Sequence, residues 1–292
     1  MESLAAPRTA IEPFFFDTET LQELAARHAG AYRTASPFPH VVIDDFLPED
    51  VAQRVLDEFP SPDDLDWYQY GNARERKLMA SHETLMGPLT RQVLGQLNAV
   101  TVIGFLERLT GVDGLVPDPH LLGGGMHQIQ RGGFLKVHAD FNRHHKLNLD
   151  RRLNLLLYLN RDWHEEYGGH LELWDPEMQR CVQRIAPVFN RCVVFSTTSW
   201  SYHGHPHPLT CPEDRTRRSL ALYYYSNGRP DSEVQAPNHS TLFKRVPGEN
   251  ATRRVALRDT ARHVARQLLP PLAVTGLARA RNAVRGRGRP AA

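Results

Sequence analysis

Between about His120 and Ser226 the chain breaks into short apolar or alternating runs, "MHQIQ", "FLKVHAD", "RLNLLLYLN", "HLELWD", "CVQRIAP", "CVVFSTT" and "RRSLALYYYS", parted by Gly, Pro and Asn. Runs of this length and alternation read as strands. Several in succession suggest a barrel or jelly roll. The first third reads differently. "DTETLQELAARHAGAYRT" predicts a helix capped by Thr18 or Thr20, with Leu21, Leu24, Ala25 and His28 at helical spacing. Pro37 and Pro39 end it, and Val41 to Ile43 form a short strand. "PEDVAQRVLDEFP" gathers Val51, Val55, Leu56 and Phe59 on one helical face, and one further helix is predicted from about Gly87 to Leu109. The fold class expected is mainly β with flanking helices (α+β), and no internal repeat is visible.

The 292 residues suffice for one large domain or two small ones with a substantial core. A net charge of +2 gives little support to a polyanionic partner. Cys181, Cys192 and Cys211 are far apart and odd in number, which argues against a disulfide framework or a CxxC zinc site. No apolar run approaches the roughly 20 residues that span a bilayer. The start, "MESLAAPRTAIEPFFF", lacks the pattern of a secretory signal. A soluble protein of the reducing cytoplasm is expected. After Pro230 the alternation stops. "ATRRVALRDTARHVARQLL" reads as an amphipathic helix, and "LARARNAVRGRGRPAA" ends the chain with five arginines and no acid. Such a tail suits nucleic acid or an anionic membrane surface. A helix packed on the domain followed by a disordered terminus is the commoner arrangement.

Within "FLKVHADFNRHH" stands His138-Ala139-Asp140. Residues i and i+2 of a strand share a face, so an imidazole nitrogen and a carboxylate oxygen can reach one ion at about 2.0–2.2 Å. A lone HxD arises often by chance and needs a third ligand. "VVFSTTSWSYHGHPHPL" supplies candidates: after a strand from Cys192 to Thr197 come His203, His205 and His207. Two histidines and a carboxylate leave coordination positions open, which suits Fe(II) oxygen chemistry. His203 is the choice, because it directly follows the aromatic-rich strand end and Gly204 lets the chain turn away. His205 and His207 share its parity, and for them an exposed Pro-rich loop is expected. Fourteen residues beyond His203 lies Arg217. Alternation puts Arg217, Ser219, Ala221 and Tyr223 on one face, and Arg218, Leu220, Leu222 and Tyr224 on the other. A guanidinium fork and a hydroxyl two residues on can hold one carboxylate. By itself, an exposed Arg-Arg pair at a strand start is more common.

HxD, a later His and R-x-S on a strand resemble the Fe(II)/2-oxoglutarate-dependent oxygenases, in their prolyl 4-hydroxylase-like branch. "YLNRDW" followed by "YGGHLELW", "PVFNRCVVFSTT" and "PFPHVVIDDFLP" are similar to further segments of that branch, so the resemblance covers roughly Pro37 to Pro230. It implies a double-stranded β-helix. With the helical readings on either side, the chain is expected to divide as residues 1–36, an N-terminal helical extension; 37–230, the oxygenase domain; and 231–292, a basic helix and a disordered Arg-rich tail. The resemblance implies Fe(II) on His138, Asp140 and His203, and 2-oxoglutarate with its distal carboxylate on Arg217 and Ser219. Tyr158 matches a tyrosine that donates to that carboxylate. Gln128 sits where relatives often carry a tyrosine near the other end of the cosubstrate. The implied reaction consumes O2, releases succinate and CO2, and hydroxylates a prolyl, amino-acid or small-metabolite substrate. Related halogenases replace the carboxylate ligand with a small residue, so Asp140 favours hydroxylation.

Other segments are less informative. His144, His145 and Lys146 suggest either a basic lip for an anionic substrate or, more simply, a solvated loop. Lys136 shares the face of His138, though long lysines usually reach solvent. Trp67, Tyr68 and Tyr70 read as a substrate lid or as core. "GGGMH" lacks the Lys-Ser or Lys-Thr of a phosphate loop. Two further readings stand beside the oxygenase: a non-catalytic metal-binding β-helix module, and a nucleic-acid adaptor acting through the basic tail.

Overall fold

Leu153, Leu155 and Leu157 alternate with Asn154, Leu156 and Tyr158, and this period of two decides where the core goes. The computed structural model describes residues 14–233 and 238–248. In chain order it contains α1 (Thr18–Thr34), β1 (His40–Ile43), α2 (Glu49–Asp57), β2 (Tyr68–Gly71), β3 (Glu75–Ala80), α3 (Pro88–Leu97), α4 (Val100–Thr110), β4 (Val116–Pro117), β5 (Gly125–Ile129), β6 (Phe134–Ala139), β7 (Arg143–His144), β8 (Leu149–Tyr158), β9 (Leu171–Trp174), β10 (Cys181–Ile185), β11 (Arg191–Ser196), β12 (His203–His205), β13 (Arg217–Ser226) and β14 (Leu242–Phe243). Among the described residues the strands join one antiparallel sheet in the order β1-β11-β8-β13-β5-β3-β6-β12-β9-β10, with β2, β4, β7 and β14 as side branches. The sheet curls over on itself as the double-stranded β-helix expected.

Its two faces do different work. The outer face presents Leu153, Leu155, Leu157, Leu220, Leu222 and Tyr224 to Leu21, Ala25 and Tyr32 of α1, Val93 and Leu97 of α3, and Phe105, Leu106 and Leu109 of α4. Each such side chain contributes about 1.5–3 kcal/mol on burial. The inner face is mixed. Tyr158 packs with Leu171 and Leu173 from the opposite wall and with Val193 and Phe195. Ala221, Tyr223 and Tyr225 pack with Phe141 and Leu156. Polar side chains on this face are enclosed between two walls, which is the setting a reactive site needs.

Four local expectations change. Asp17, not Thr18 or Thr20, caps α1, its carboxylate accepting from the Thr20 amide at 2.7 Å; the carboxylate lies one residue outside the helix, where the first amides point. The helix expected from Gly87 to Leu109 is two, because the buried stripe of Val93 and Leu97 resumes at Val102 rather than at position 101. That five-residue step falls out of helical phase, and the backbone breaks at Asn98–Ala99. Strands β2 and β3 lie in the part read as α-rich. The chain also does not leave the sheet at Pro230: β14 returns to pair with β6, Leu242 opposite Ala139 and Phe243 opposite His138. The basic helix and Arg-rich tail fall outside the described residues.

Candidate active site

The site begins with the pairing of β6 and β12, which sets His203 opposite His138. Their rings lie 4.5 Å apart. Gly204 makes this possible: a Cβ there would stand 2.8 Å from the Leu135 carbonyl oxygen and 3.0 Å from Val137 Cα. The glycine therefore does not turn the chain away. It lets a strand pass close to its neighbour, and His203 to His205 are themselves that strand. Asp140 follows directly on β6. One ligand atom from each of His138, Asp140 and His203 lies within 4.8 Å of the others. Asp140 Oδ1 is 3.4 Å from His138 Nε2, and Oδ2 is 3.5 Å from His203 Nε2.

The donor set fits a divalent cation. Nδ1 of His138 donates to the Lys136 carbonyl at 2.8 Å, and Nδ1 of His203 to the Ser201 carbonyl at 2.9 Å. Each bond places the proton on Nδ1 and leaves the Nε2 lone pair facing the carboxylate, as metal-ligating histidines are held. Burial drives the His203 pKa down to about 4, so the ring is neutral at physiological pH.

Two residues that the sequence did not single out hold Asp140. Arg151, 1% exposed, places Nη2 3.1 Å from Asp140 Oδ2, and Asn154 Nδ2 donates to the same oxygen at 2.8 Å. Arg151 also donates to Asn154 Oδ1 and stacks over the Tyr223 ring at 3.5 Å. Burial acts to raise the Asp140 pKa. That is the largest single cause, but Arg151, His203 and His138 together outweigh it, and the carboxyl group is held well below its ordinary range. Strict alternation from Asn154 would turn Arg151 outward. A bulge on β8 prevents this: Tyr224 faces Leu153 but Tyr225 faces Arg151, which brings Arg151 to the inner face. Asn154 shares the parity of Tyr158, the one signal in the sequence that pointed to it.

At the other end, Arg217 is buried. Its Nε donates to the Gly169 carbonyl at 2.7 Å and its Nη2 to the Tyr158 hydroxyl at 3.2 Å. Ser219, on the same face, is directly opposite Tyr158. Burial raises the Tyr158 pKa, partly offset by Arg217, so the phenol stays protonated and able to donate. Gly169, another residue not foreseen, has φ 73°, and a Cβ there would lie 2.9 Å from Arg217 Cδ.

Other expected participants lie elsewhere. Gln128 is opposite Arg218, on the face away from Arg217; its amide donates to the Pro60 carbonyl at 3.0 Å and accepts from the Thr216 hydroxyl at 2.6 Å. This corrects its assignment to the cosubstrate, since one step of parity separates it from His127 and Ile129. Lys136 donates to the Pro206 carbonyl. His144 is buried 3.3 Å from Asp118 instead of forming a lip, while His145 and Lys146 are exposed. Trp67 is core, stacked on Phe59, whereas Tyr68 is exposed. His207 is exposed as expected, but His205 is buried.

Residues 124–225 match the model of the 2OG-Fe(II) oxygenase superfamily. Over 93 residues the chain is 29% identical to the Mus musculus protein named prolyl 3-hydroxylase OGFOD1, covering 30% of this chain and 17% of that one. The chain thus spans under a fifth of that relative's length. Its fold is similar to a prolyl hydroxylase from Trichoplax adhaerens, solved in complex with a hypoxia inducible factor oxygen degradation domain peptide; the TM-score is 0.50 at 18% identity, covering 71% of this chain and 91% of that one. HygX from Streptomyces hygroscopicus, with nickel and 2-oxoglutarate bound, aligns at a TM-score of 0.48 and 12% identity, covering 74% of this chain and 96% of that one. The family match contains His138, Asp140, His203, Arg217 and Ser219, and the resemblance read from the sequence is borne out.

Proposed function

We propose that this chain, which carries a 2OG-Fe(II) oxygenase domain of the prolyl hydroxylase-like type, is a dioxygenase that hydroxylates an unactivated C–H bond, with a prolyl residue in a peptide as the first substrate class to test. The observation that carries the reading is the convergence of three ligand atoms within 4.8 Å at one end of a closed interior that holds Arg217 at the other. His138, Asp140 and His203 would hold iron, which with 2-oxoglutarate and O2 supplies the oxidising power for hydroxylation, succinate and CO2 being released. Arg217, Ser219 and Tyr158 would hold the distal carboxylate through charge-assisted hydrogen bonds.

The chain's own residues do the rest. Arg151 and Asn154 fix the Asp140 carboxylate, so that it offers an oxygen without rotating. The Nδ1–carbonyl bonds fix both imidazoles. Leu156, Leu171, Leu173 and Phe195 exclude water from the interior and confine oxidation to what is bound there. A cytoplasmic setting belongs to the same reading and is supported by three free cysteines. A prolyl substrate is supported by the named activity of the mouse relative. The test is succinate formation from 2-oxoglutarate in the presence of Fe(II), with a panel of prolyl peptides, free amino acids and small metabolites. Turnover that needs iron and is lost in His203→Ala but retained in Tyr68→Ala is expected. Metal binding without succinate formation would establish instead a non-catalytic module.

A further inference from the structure

The interior contains a basic side chain with nothing to bind. His205 is 4% exposed, and neither ring nitrogen has a hydrogen-bond partner among the described residues. Its basic neighbours are engaged. Lys77 Nζ lies 3.5 Å from Glu75 and over the Tyr70 ring, His127 Nε2 is 3.0 Å from the Gly123 carbonyl oxygen, and Arg217 bonds Gly169 and Tyr158. A buried imidazole unsatisfied at both nitrogens is costly, and such groups in native proteins point to a ligand.

Strand register locates that ligand. His203 faces His138, and His205 faces Leu135, which in turn faces Glu75 on β3. Two residues further along β3 is Lys77. Continued from the pair Leu78 and Gln128, the register sets Lys77 level with Ile129, which faces Arg217. His205 therefore lies between the level of the metal triad and that of Arg217. It shares the inner face with His203, about 6.6 Å along the strand from it. Whatever its charge, an imidazole has at least one N–H to donate, and the guanidinium of Arg217 at the next level favours an acceptor that is an anion.

We infer that His205 donates a hydrogen bond to the distal carboxylate of 2-oxoglutarate, as a fourth contact beside Arg217, Ser219 and Tyr158. The inference rests on the proposed function and names a residue of that same site.

The test compares two ligands on nickel-loaded, redox-inert protein by calorimetry: 2-oxoglutarate, and pyruvate, which has the same keto-acid head but no distal carboxylate. His205→Leu is expected to weaken 2-oxoglutarate about tenfold or more and to leave pyruvate within about twofold. His205→Gln, which keeps a donor at similar reach, should recover most of the loss. Equal weakening of both ligands, or no change in 2-oxoglutarate affinity, overturns the assignment. Should His205→Leu fail to fold, the wild type decides. In zinc-loaded protein with 15N-labelled histidine, 2-oxoglutarate but not pyruvate should protect one imidazole N–H from exchange, and its absence from His205→Gln identifies it. No such protection also overturns the assignment. A wild-type protein that binds 2-oxoglutarate no better than pyruvate sinks the reading of Arg217 as well, and so distinguishes the two failures.

Discussion

Arg151 directs a permanent positive charge at a single carboxylate oxygen in a place water barely reaches. Arg151→Met would leave the Asp140 carboxylate buried without its largest stabilising partner, a severe change for a charged group. The expected outcome is a ten- to hundredfold loss of metal affinity, read by nickel titration. Arg151→Lys should recover only part of it, since an ammonium cannot serve Asp140 and Asn154 together. His127 gives a separate, pH-dependent prediction. Its pKa is pushed down to about 3, first by burial and then by Lys77. The unfolded chain, with a pKa near 6.5, therefore takes up a proton that the folded chain refuses. This contribution to stability is complete above about pH 6.5 and is lost as pH falls toward 3, by up to about 1.4 kcal/mol per pH unit. In urea unfolding between pH 4.5 and 7.5, His127→Gln should show a shallower fall than wild type. His138 and Asp140 were legible in the sequence as a pair on one face because i, i+2 parity is a local property. Arg151 was not, because one extra residue at a bulge inverts parity and no residue type announces it.

At the scale of elements, the close approach of β12 to β6 builds the metal end of the site, and it depends on the missing side chain at Gly204. Gly204→Ala puts a Cβ 2.8 Å from a backbone carbonyl, and neither strand has a flexible end that can give way. A loss of about 1–3 kcal/mol in unfolding free energy is expected, together with weaker nickel binding as His203 is pushed from His138. The short β12 was read as loop because three residues with two prolines after them carry no alternation to detect. Pairing with β6 and β9 on both sides, not propensity, makes it a strand. The long strands β8 and β13 were legible for the opposite reason: each is ten residues long, and the run from Leu153 to Tyr158 pairs in unbroken register with Ser219 to Tyr224.

At the scale of the molecule, helices cover the outer face, and the buried polar side chains gather among apolar ones on the inner face. The order of motifs along the chain made this plan legible, since His138 and Asp140, then His203, then Arg217 and Ser219 follow one another as the sheet winds. What could not be read was which residues complete the wall, because that depends on contacts between distant segments such as Phe243 on His138, 5.4 Å apart. The described residues up to Pro247 form one compact unit. A chain ending at Pro247 is therefore expected to fold and to bind nickel and 2-oxoglutarate as the full chain does. Its melting temperature should rise when both are added, which differential scanning calorimetry can check. The carbonyl bonds at Nδ1 of His138 and His203 have one more consequence. With both Nε2 atoms held toward Asp140, the donor set of two imidazoles and one carboxylate suits several first-row metals. Their intrinsic ordering favours nickel, copper or zinc over ferrous iron, so all three would compete for the site wherever the cell supplies them.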